Sequence, residues 1–303
     1  MADSKQVLVF KGWEGFADRL QVLSDCIHYC LKHDALLCVD WRDYMWGQKT
    51  EDFSDYFELV NVNVISLADV IKRLENGSSI KPSVWTPKLL SEPPSELIHF
   101  SNFKLNFSNY EKIDSDIVVV NGKGVRTWHI DNLINNIKIK DNLIPIITNR
   151  LINIKLPYTT VHLRGTDRLS ADPLKTATNE YEGLAPHMKA RVFVVSDMKE
   201  LIDTWTTQFP SSLRVEEDPC IFKMPSGKQG THMYEQESLD FYGVTKHELN
   251  INTIVDFLVL SFGSWTVGNK NSVFISMARM IRQAGVQGIS KWLNGFSPPR
   301  APL

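Results

Sequence analysis

Cysteine is scarce in this 303-residue chain, confined to Cys26, Cys30, Cys38 and Cys220. No pair has zinc-ribbon spacing. Cys26 and Cys30 fall within an apolar helical pattern, so free core thiols are expected, consistent with a reducing compartment. Excess charge is also lacking. A net charge of −2 gives no electrostatic drive toward nucleic acid or an anionic membrane, and neither is expected as a partner. No apolar run is long enough to span a bilayer, and MADSKQVLVF enters a strand without a signal-like stretch. A cytoplasmic protein is therefore expected, bacterial or viral in a host cell, unless an anchor has been removed. Missing too are the G-x-G-x-x-G fingerprint and the Walker lysine motif, which argues against an NAD-dependent oxidoreductase. What remains is an ordinary globular composition, 43% apolar and 22% charged, long enough for two medium domains or one large one.

The most informative stretch is TTVHLRGTDRLSAD, residues 159–172. It begins as a strand of β-branched and apolar residues. It breaks at Gly165 into a polar run holding Arg164, Thr166, Asp167, Arg168 and Asp172. Open α/β sheets place their ligands just past the C-terminal ends of strands. Arg164 offers a planar fork of donors suited to phosphate, and Asp172 is placed to take a proton from a hydroxyl. An Arg–Asp pair pinning a surface loop fits the same residue types.

Strands and helices alternate along the chain, which predicts an α/β fold. Val7–Phe10 reads as a strand. It leads through Gly12 and Gly15 into a helix marked by Phe16, Leu20, Leu23, Ile27 and Leu31. That turn is either a simple tight turn or a helix start presenting N–H groups to an anion. The strand Ala35–Asp40 ends in Trp41-Arg42-Asp43. There Trp41 and Arg42 either contact a sugar acceptor or form core and ion-pair structure with Asp40 or Asp43. Residues 62–67 and 117–120 read as strands, residues 76–110 as a loop-rich insert, and residues 133–154 as two helical pieces. Asp114-Ser115-Asp116 mimics a metal-binding pair but precedes a strand and reads as loop.

In the second half, 191–195, 213–215 and 265–268 read as strands and 201–209 as a helix. Residues 173–187 read as irregular, and 227–242 as a polar loop. The helix 252–261 is apolar nearly all round, so Asp256 within it needs a partner: an internal cation, a backbone N–H, or the N1–H and N2–H edge of guanine. Ser272 reads as the N-cap of a helix over 273–283, either an ordinary cap or a second phosphate site.

His162-Leu163-Arg164-Gly165-Thr166-Asp167-Arg168 resembles the His-x-Arg-x-Thr-Asp motif of the fucosyltransferase superfamily. That group includes α1,6-fucosyltransferases, the bacterial nodulation enzyme and, more distantly, protein O-fucosyltransferases. Gly15-Phe16-Ala17-Asp18-Arg19-Leu20 resembles the family's first glycine motif, with Ala17 replacing a glycine. Asp40-Trp41-Arg42, Asp197, Asp256, Leu260-Ser261 and Ser272 follow in family order. Three departures stand out. Gly165 replaces a frequent second arginine, Arg168 stands where lysine is usual, and Asp172 stands where the α1,6-enzymes carry glutamate.

The resemblance implies a GT-B fold of two Rossmann-like domains facing an interdomain cleft. Residues 1–155 would form the acceptor side, 156–288 the nucleotide-sugar-binding domain, and 289–303 a tail. It implies inverting, metal-independent transfer of fucose from GDP-fucose to a hydroxyl of a glycan or glycoprotein acceptor, with no cofactor beyond the donor. Asp172 would be the base. Arg164, Ser272 and the turn at Gly15, Phe16 and Ala17 would hold the β-phosphate. His162 would orient the nucleotide, Asp256 would read guanine, and Trp41 with Arg42 would meet the acceptor. Alternatives are another sugar donor, such as a rhamnose or xylose nucleotide, or an inactive nucleotide- or glycan-binding module.

Overall fold

The computed structural model describes residues 5–43, 46–93, 110–121, 129–165, 172–214, 234–269 and 271–301. Thr166, Asp167, Arg168, Cys220 and residues 94–109 of the expected insert lie outside them. The chain divides into two compact units, Met1–Lys140 and Asp141–Leu303.

In the first unit the elements are β1 Val7–Lys11, α1 Phe16–His33, β2 Leu36–Asp40, α2 Phe53–Tyr56, β3 Phe57–Leu59 and α3 Leu67–Glu75. They continue with β4 Ile80–Lys81, α4 Pro87–Ser91, β5 Ile117–Asn121, α5 Ile130–Asn136 and β6 Ile137–Ile139. A parallel sheet runs in the order β2-β1-β5-β4. Its central strands, VLVFK and IVVVN, are buried along their whole length, as continuous apolar runs in a parallel sheet should be. Val70 of α3 and Leu90 of α4 pack with Trp85 on Val7, Val9, Ile117 and Val119. Each side chain so buried stabilises the unit by about 1.5–3 kcal/mol. Helix α1 stops at Asp34, whose left-handed φ of 49° lets its N–H reach the Cys30 carbonyl.

Three expectations are corrected in this unit. Residues 62–67 form no strand; Val64 makes only an isolated bridge to Leu37, and α3 begins at Leu67. The stretch after Leu133 is not simply helical, because Ile137–Ile139 pairs antiparallel with Phe57–Leu59. The expected insert contains β4 and α4 among its described residues.

The second unit holds α6 Ile144–Leu151, β7 Thr159–Leu163, α7 Pro173–Glu182, β8 Val192–Ser196, α8 Lys199–Gln208 and β9 Leu213–Arg214. It continues with α9 Gln236–Phe241, α10 Lys246–Phe262, β10 Trp265–Gly268, α11 Val273–Arg282 and α12 Gly285–Ser290. Its parallel sheet has the order β10-β7-β8-β9, with Val161 beside Val267 on one side and Val194 on the other. Ala177 and Tyr181 of α7 and Ile202 and Trp205 of α8 close one face.

The division falls before α6 rather than near residue 155 because α6 packs on α10. Residues 173–182, expected to be irregular, are helical. Asp172 is the N-cap and Pro173 occupies the first turn, where its missing N–H costs nothing. Helix α10 starts earlier than expected, at a capping box formed by Thr245 and Glu248. The described residues of the expected tail are packed. Trp292 and Leu293 are buried, and Leu156 exchanges backbone hydrogen bonds with Pro299 and Ala301, both at 2.8 Å.

Among the described strands β10 lies at the sheet's edge, and side chains meet backbone groups along it and just before it. Arg279 donates to the Thr266 carbonyl at 2.6 Å, Arg282 donates to the Ser264 carbonyl at 3.2 Å, and Glu180 accepts from Gly268 N at 3.0 Å.

Candidate functional site

In the second unit the chemistry gathers where β7, β8 and β10 end. His162 and Gly268 are partners in the β7–β10 ladder, so the residues just beyond them are neighbours. Arg164 follows β7 directly and is partly exposed. The backbone beneath it is pinned from β8. Gly165 N donates to Asp197 Oδ1 at 2.8 Å, and the Ser196 hydroxyl donates to the Leu163 carbonyl at 2.6 Å. Gly165 itself is dictated by packing. A Cβ there would sit 2.2 Å from Met198 Sδ and 2.7 Å from Leu201 Cδ1. The slot beside Arg164 is thus filled by a thioether and an isobutyl group.

His162 is 8% exposed, and its Nδ1 is buried without a hydrogen-bond partner among the described residues. Burial, and then the charge of Arg164, push its pKa down to about 3, so the ring is neutral at pH 7. The ring lies 5.5 Å from Phe274, in the first turn of α11. That contact brings the start of α11 against the end of β7. Ser272 caps α11 by accepting from Ile275 N and is almost fully buried. The turn before it is tied by Asn271 N donating to Asn269 Oδ1 at 2.9 Å. Gly268, at φ 139°, is where the turn departs.

Asp172 is exposed at the head of α7, and its Oδ1 accepts from Leu174 N and Lys175 N at 3.0 and 3.1 Å. No Arg164–Asp172 ion pair occurs among the described residues. Asp256 lies on α10. With Thr253 it marks the partly exposed line of an otherwise buried stretch, 249–263.

The first unit has its own polar strand end. Asp40 is buried between two cations. Lys11 Nζ bonds its Oδ2 at 2.5 Å, and Arg42 grips it with Nε–Oδ1 at 2.9 Å and Nη2–Oδ2 at 3.0 Å. Burial acts to raise the Asp40 carboxyl, but Lys11 and Arg42 outweigh it and hold the pKa below the ordinary value. Asp43 forms a fully buried ion pair with Arg19 rather than with Arg42. It also accepts from Trp46 N and Gly47 N at 2.7 and 2.9 Å.

Trp41 is 0% exposed, set edge-on against Phe10, Phe53, Phe57 and Trp46. Its burial corrects the expectation that it stacks on an acceptor sugar, since neither ring face reaches solvent. Arg42 remains 30% exposed. Phe16 is likewise a core residue, stacked on Trp46 and Phe57, and Ala17 is buried. Gly15 caps α1 without any side-chain hydrogen bond, and a Cβ there would meet only Asp18 Oδ2 at 3.7 Å. Gly12 is the sterically required glycine, since its Cβ would be 2.3 Å from Trp41 Cδ1. Asp116 of the Asp-Ser-Asp run is engaged by Ser79 N and Oγ at 2.8 and 2.7 Å. Among the described residues, no group of His, Cys, Asp or Glu is arranged to hold a metal, and no helix is long and apolar enough to cross a membrane.

The residues that sequence reasoning missed are Glu180, Gly268 and Met198. Their roles depend on contacts across the sheet, and only the left-handed requirement at Gly268 has a local signature.

No family model matches the chain, and no curated protein matches its sequence. Solved structures do match in fold. Fucosyltransferase NodZ from Bradyrhizobium aligns with a TM-score of 0.64 at 19% identity, covering 91% of this chain and 94% of that one. NodZ α-1,6-fucosyltransferase co-crystallised with GDP gives 0.63 at 19% identity, over 91% and 93% of the two chains. A mutant of Arabidopsis thaliana FUT1 in complex with GDP gives 0.51 at 12% identity, over 98% of this chain and 71% of that one. The likeness spans both units and shows that this chain has the α/β fold of the GT-B fucosyltransferases.

Proposed function

We propose that the chain is an inverting glycosyltransferase that moves fucose from GDP-fucose to a hydroxyl of a glycan acceptor. The observation that carries this is the junction of His162, Arg164 and the Ser272 helix start at the ends of β7 and β10. It lies in a fold shared with NodZ, which has been studied with GDP and soaked with GDP-fucose. A fixed guanidinium beside a helix N-terminus suits charge growing on a departing diphosphate. These groups supply positive charge themselves, so the reading requires no metal. It expects chelators to leave turnover unchanged.

Asp256 reads the guanine edge in this scheme, and neutral His162 orients the nucleotide. Asp172 removes the acceptor proton as the hydroxyl attacks the anomeric carbon. Its capping role does not conflict with this, because one carboxylate oxygen holds the helix and Oδ2 makes no hydrogen bond among the described residues.

Calorimetric titration with GDP, UDP and TDP is the first test. Binding of GDP alone is expected, and tighter binding of UDP or TDP would move the donor to another sugar nucleotide. Arg164→Ala should abolish transfer while leaving the fold intact; full turnover would reject the arginine's role. Asn caps helices as well as Asp does. Asp172→Asn should therefore preserve α7 and nucleotide binding and lose transfer. Retained activity would assign the base elsewhere.

A further inference from the structure

Glu180 belongs to none of the motifs above, yet it reaches the one backbone position that both halves of the candidate donor site share. Gly268 ends β10 and pairs with His162. Its φ is 139°, and a Cβ would fall 2.5 Å from the His162 carbonyl oxygen and 3.0 Å from Ile275 Cδ1. The Gly268 peptide is therefore wedged between the end of β7 and the first turn of α11. Among the described residues β10 is the edge strand, so the outward Gly268 N–H has no described neighbouring strand to bond. Glu180 Oε2, from α7, accepts it at 3.0 Å.

We infer that Glu180 is a positioning residue for donor binding. It fixes Gly268, and through the adjoining Asn269, whose carbonyl accepts from Ser272 N at 3.0 Å, it sets the Ser272 start of α11 against His162 and Arg164. The inference rests on the donor site proposed above. Charge and geometry make opposite predictions here, which makes the idea testable. A carboxylate beside an anion site repels the anion, so a purely electrostatic role means that removing Glu180 tightens binding. A positioning role means that removal loosens it.

The experiment compares Glu180→Ala and Glu180→Gln in the full chain. Gln keeps an acceptor oxygen for Gly268 N and removes the charge. Hydrogen exchange of the ligand-free protein reports on the turn, and GDP titration reports on the site. Expected for Ala are faster exchange over residues 265–276 and GDP binding weakened about tenfold, roughly the effect of one lost hydrogen bond. Expected for Gln are near wild-type exchange and affinity within about twofold, with similar thermal midpoints for all three proteins. Unchanged exchange in the Ala variant would overturn the anchor itself. Faster exchange with unchanged or tighter GDP binding would overturn its link to the donor. Failure of the wild-type protein to bind GDP at all would instead strike the donor-site reading, and this inference with it.

Discussion

The buried Asp43–Arg19 pair offers a sharp quantitative test of what holds the first unit's strand end. Both side chains are fully buried. Asp43 also closes the turn after β2 by accepting from Trp46 N and Gly47 N. Asp43→Ala leaves a guanidinium in the core whose remaining hydrogen-bond and ring partners among the described residues are the carbonyls of Glu14 and Trp41 and the Trp41 ring. It also strips two backbone donors of their acceptor. Breaking one side of a buried ion pair costs about 3–5 kcal/mol. That is a large share of the roughly 5–15 kcal/mol that stabilises a typical domain. Asp43→Asn keeps Oδ1 as acceptor for the two N–H groups but turns an amide N–H toward Arg19 in place of Oδ2, so it loses the ion pair and keeps the turn, and its cost should be smaller. Adding Arg19→Met to Asp43→Asn removes the stranded cation and should recover at least about 2 kcal/mol of that loss, since apolar replacement of a buried pair is often neutral or better. Urea unfolding followed by tryptophan fluorescence measures all three, Trp41 and Trp46 being local reporters. A loss below about 1 kcal/mol for Asp43→Ala, or a deeper loss on adding Arg19→Met, would refute the reasoning.

Further tests follow from the same structure. Burial raises the Asp25 pKa to about 7, so the folded state holds its proton longer than the unfolded one. Stability from this group is therefore present below about pH 4 and lost as pH rises through 7, a slope that Asp25→Asn should flatten in pH-dependent unfolding of the first unit. His162 has the opposite sign. Its pKa of about 3 means that the folded state refuses a proton the unfolded state accepts. The second unit should lose stability as pH falls from about 6.5 to 3, and His162→Gln should remove that dependence. Gly12→Ala drives a methyl into two fully buried side chains, Trp41 and Arg19, and should cost about 1–3 kcal/mol by calorimetry. Gly15→Ala has room and should leave the melting temperature unchanged.

The parts of this architecture that could be read from sequence are those whose signal is local. β1, β5, β7 and β8 are short runs dominated by β-branched and other apolar residues, and burial on both faces is what such runs encode. The ends of β7 and β10 were legible as a candidate site because Gly165 and Ser272 punctuate them. β6 was not legible, since its three residues acquire meaning only from Phe57–Leu59, far away in the chain. Helix α7 is marked locally by Asp172-Pro173, an N-cap and first-turn pair, but the same carboxylate also fits a proton acceptor. The position of Trp41 depended on long-range packing. An Asp-Trp-Arg sequence does not say which way an indole turns, and here four aromatic neighbours turn it inward. Glu180 lacked any signature because its partner is a backbone amide.

The plugged border of β10 has a consequence for how this molecule meets copies of itself. A bare parallel strand is a template onto which another chain can graft a strand. Arg279, Arg282 and Glu180 already occupy hydrogen-bonding positions along that rim, so a newcomer finds them taken and faces charge of both signs. The side chain that steadies one peptide for a ligand thereby also helps to shield the sheet against fibre-like growth.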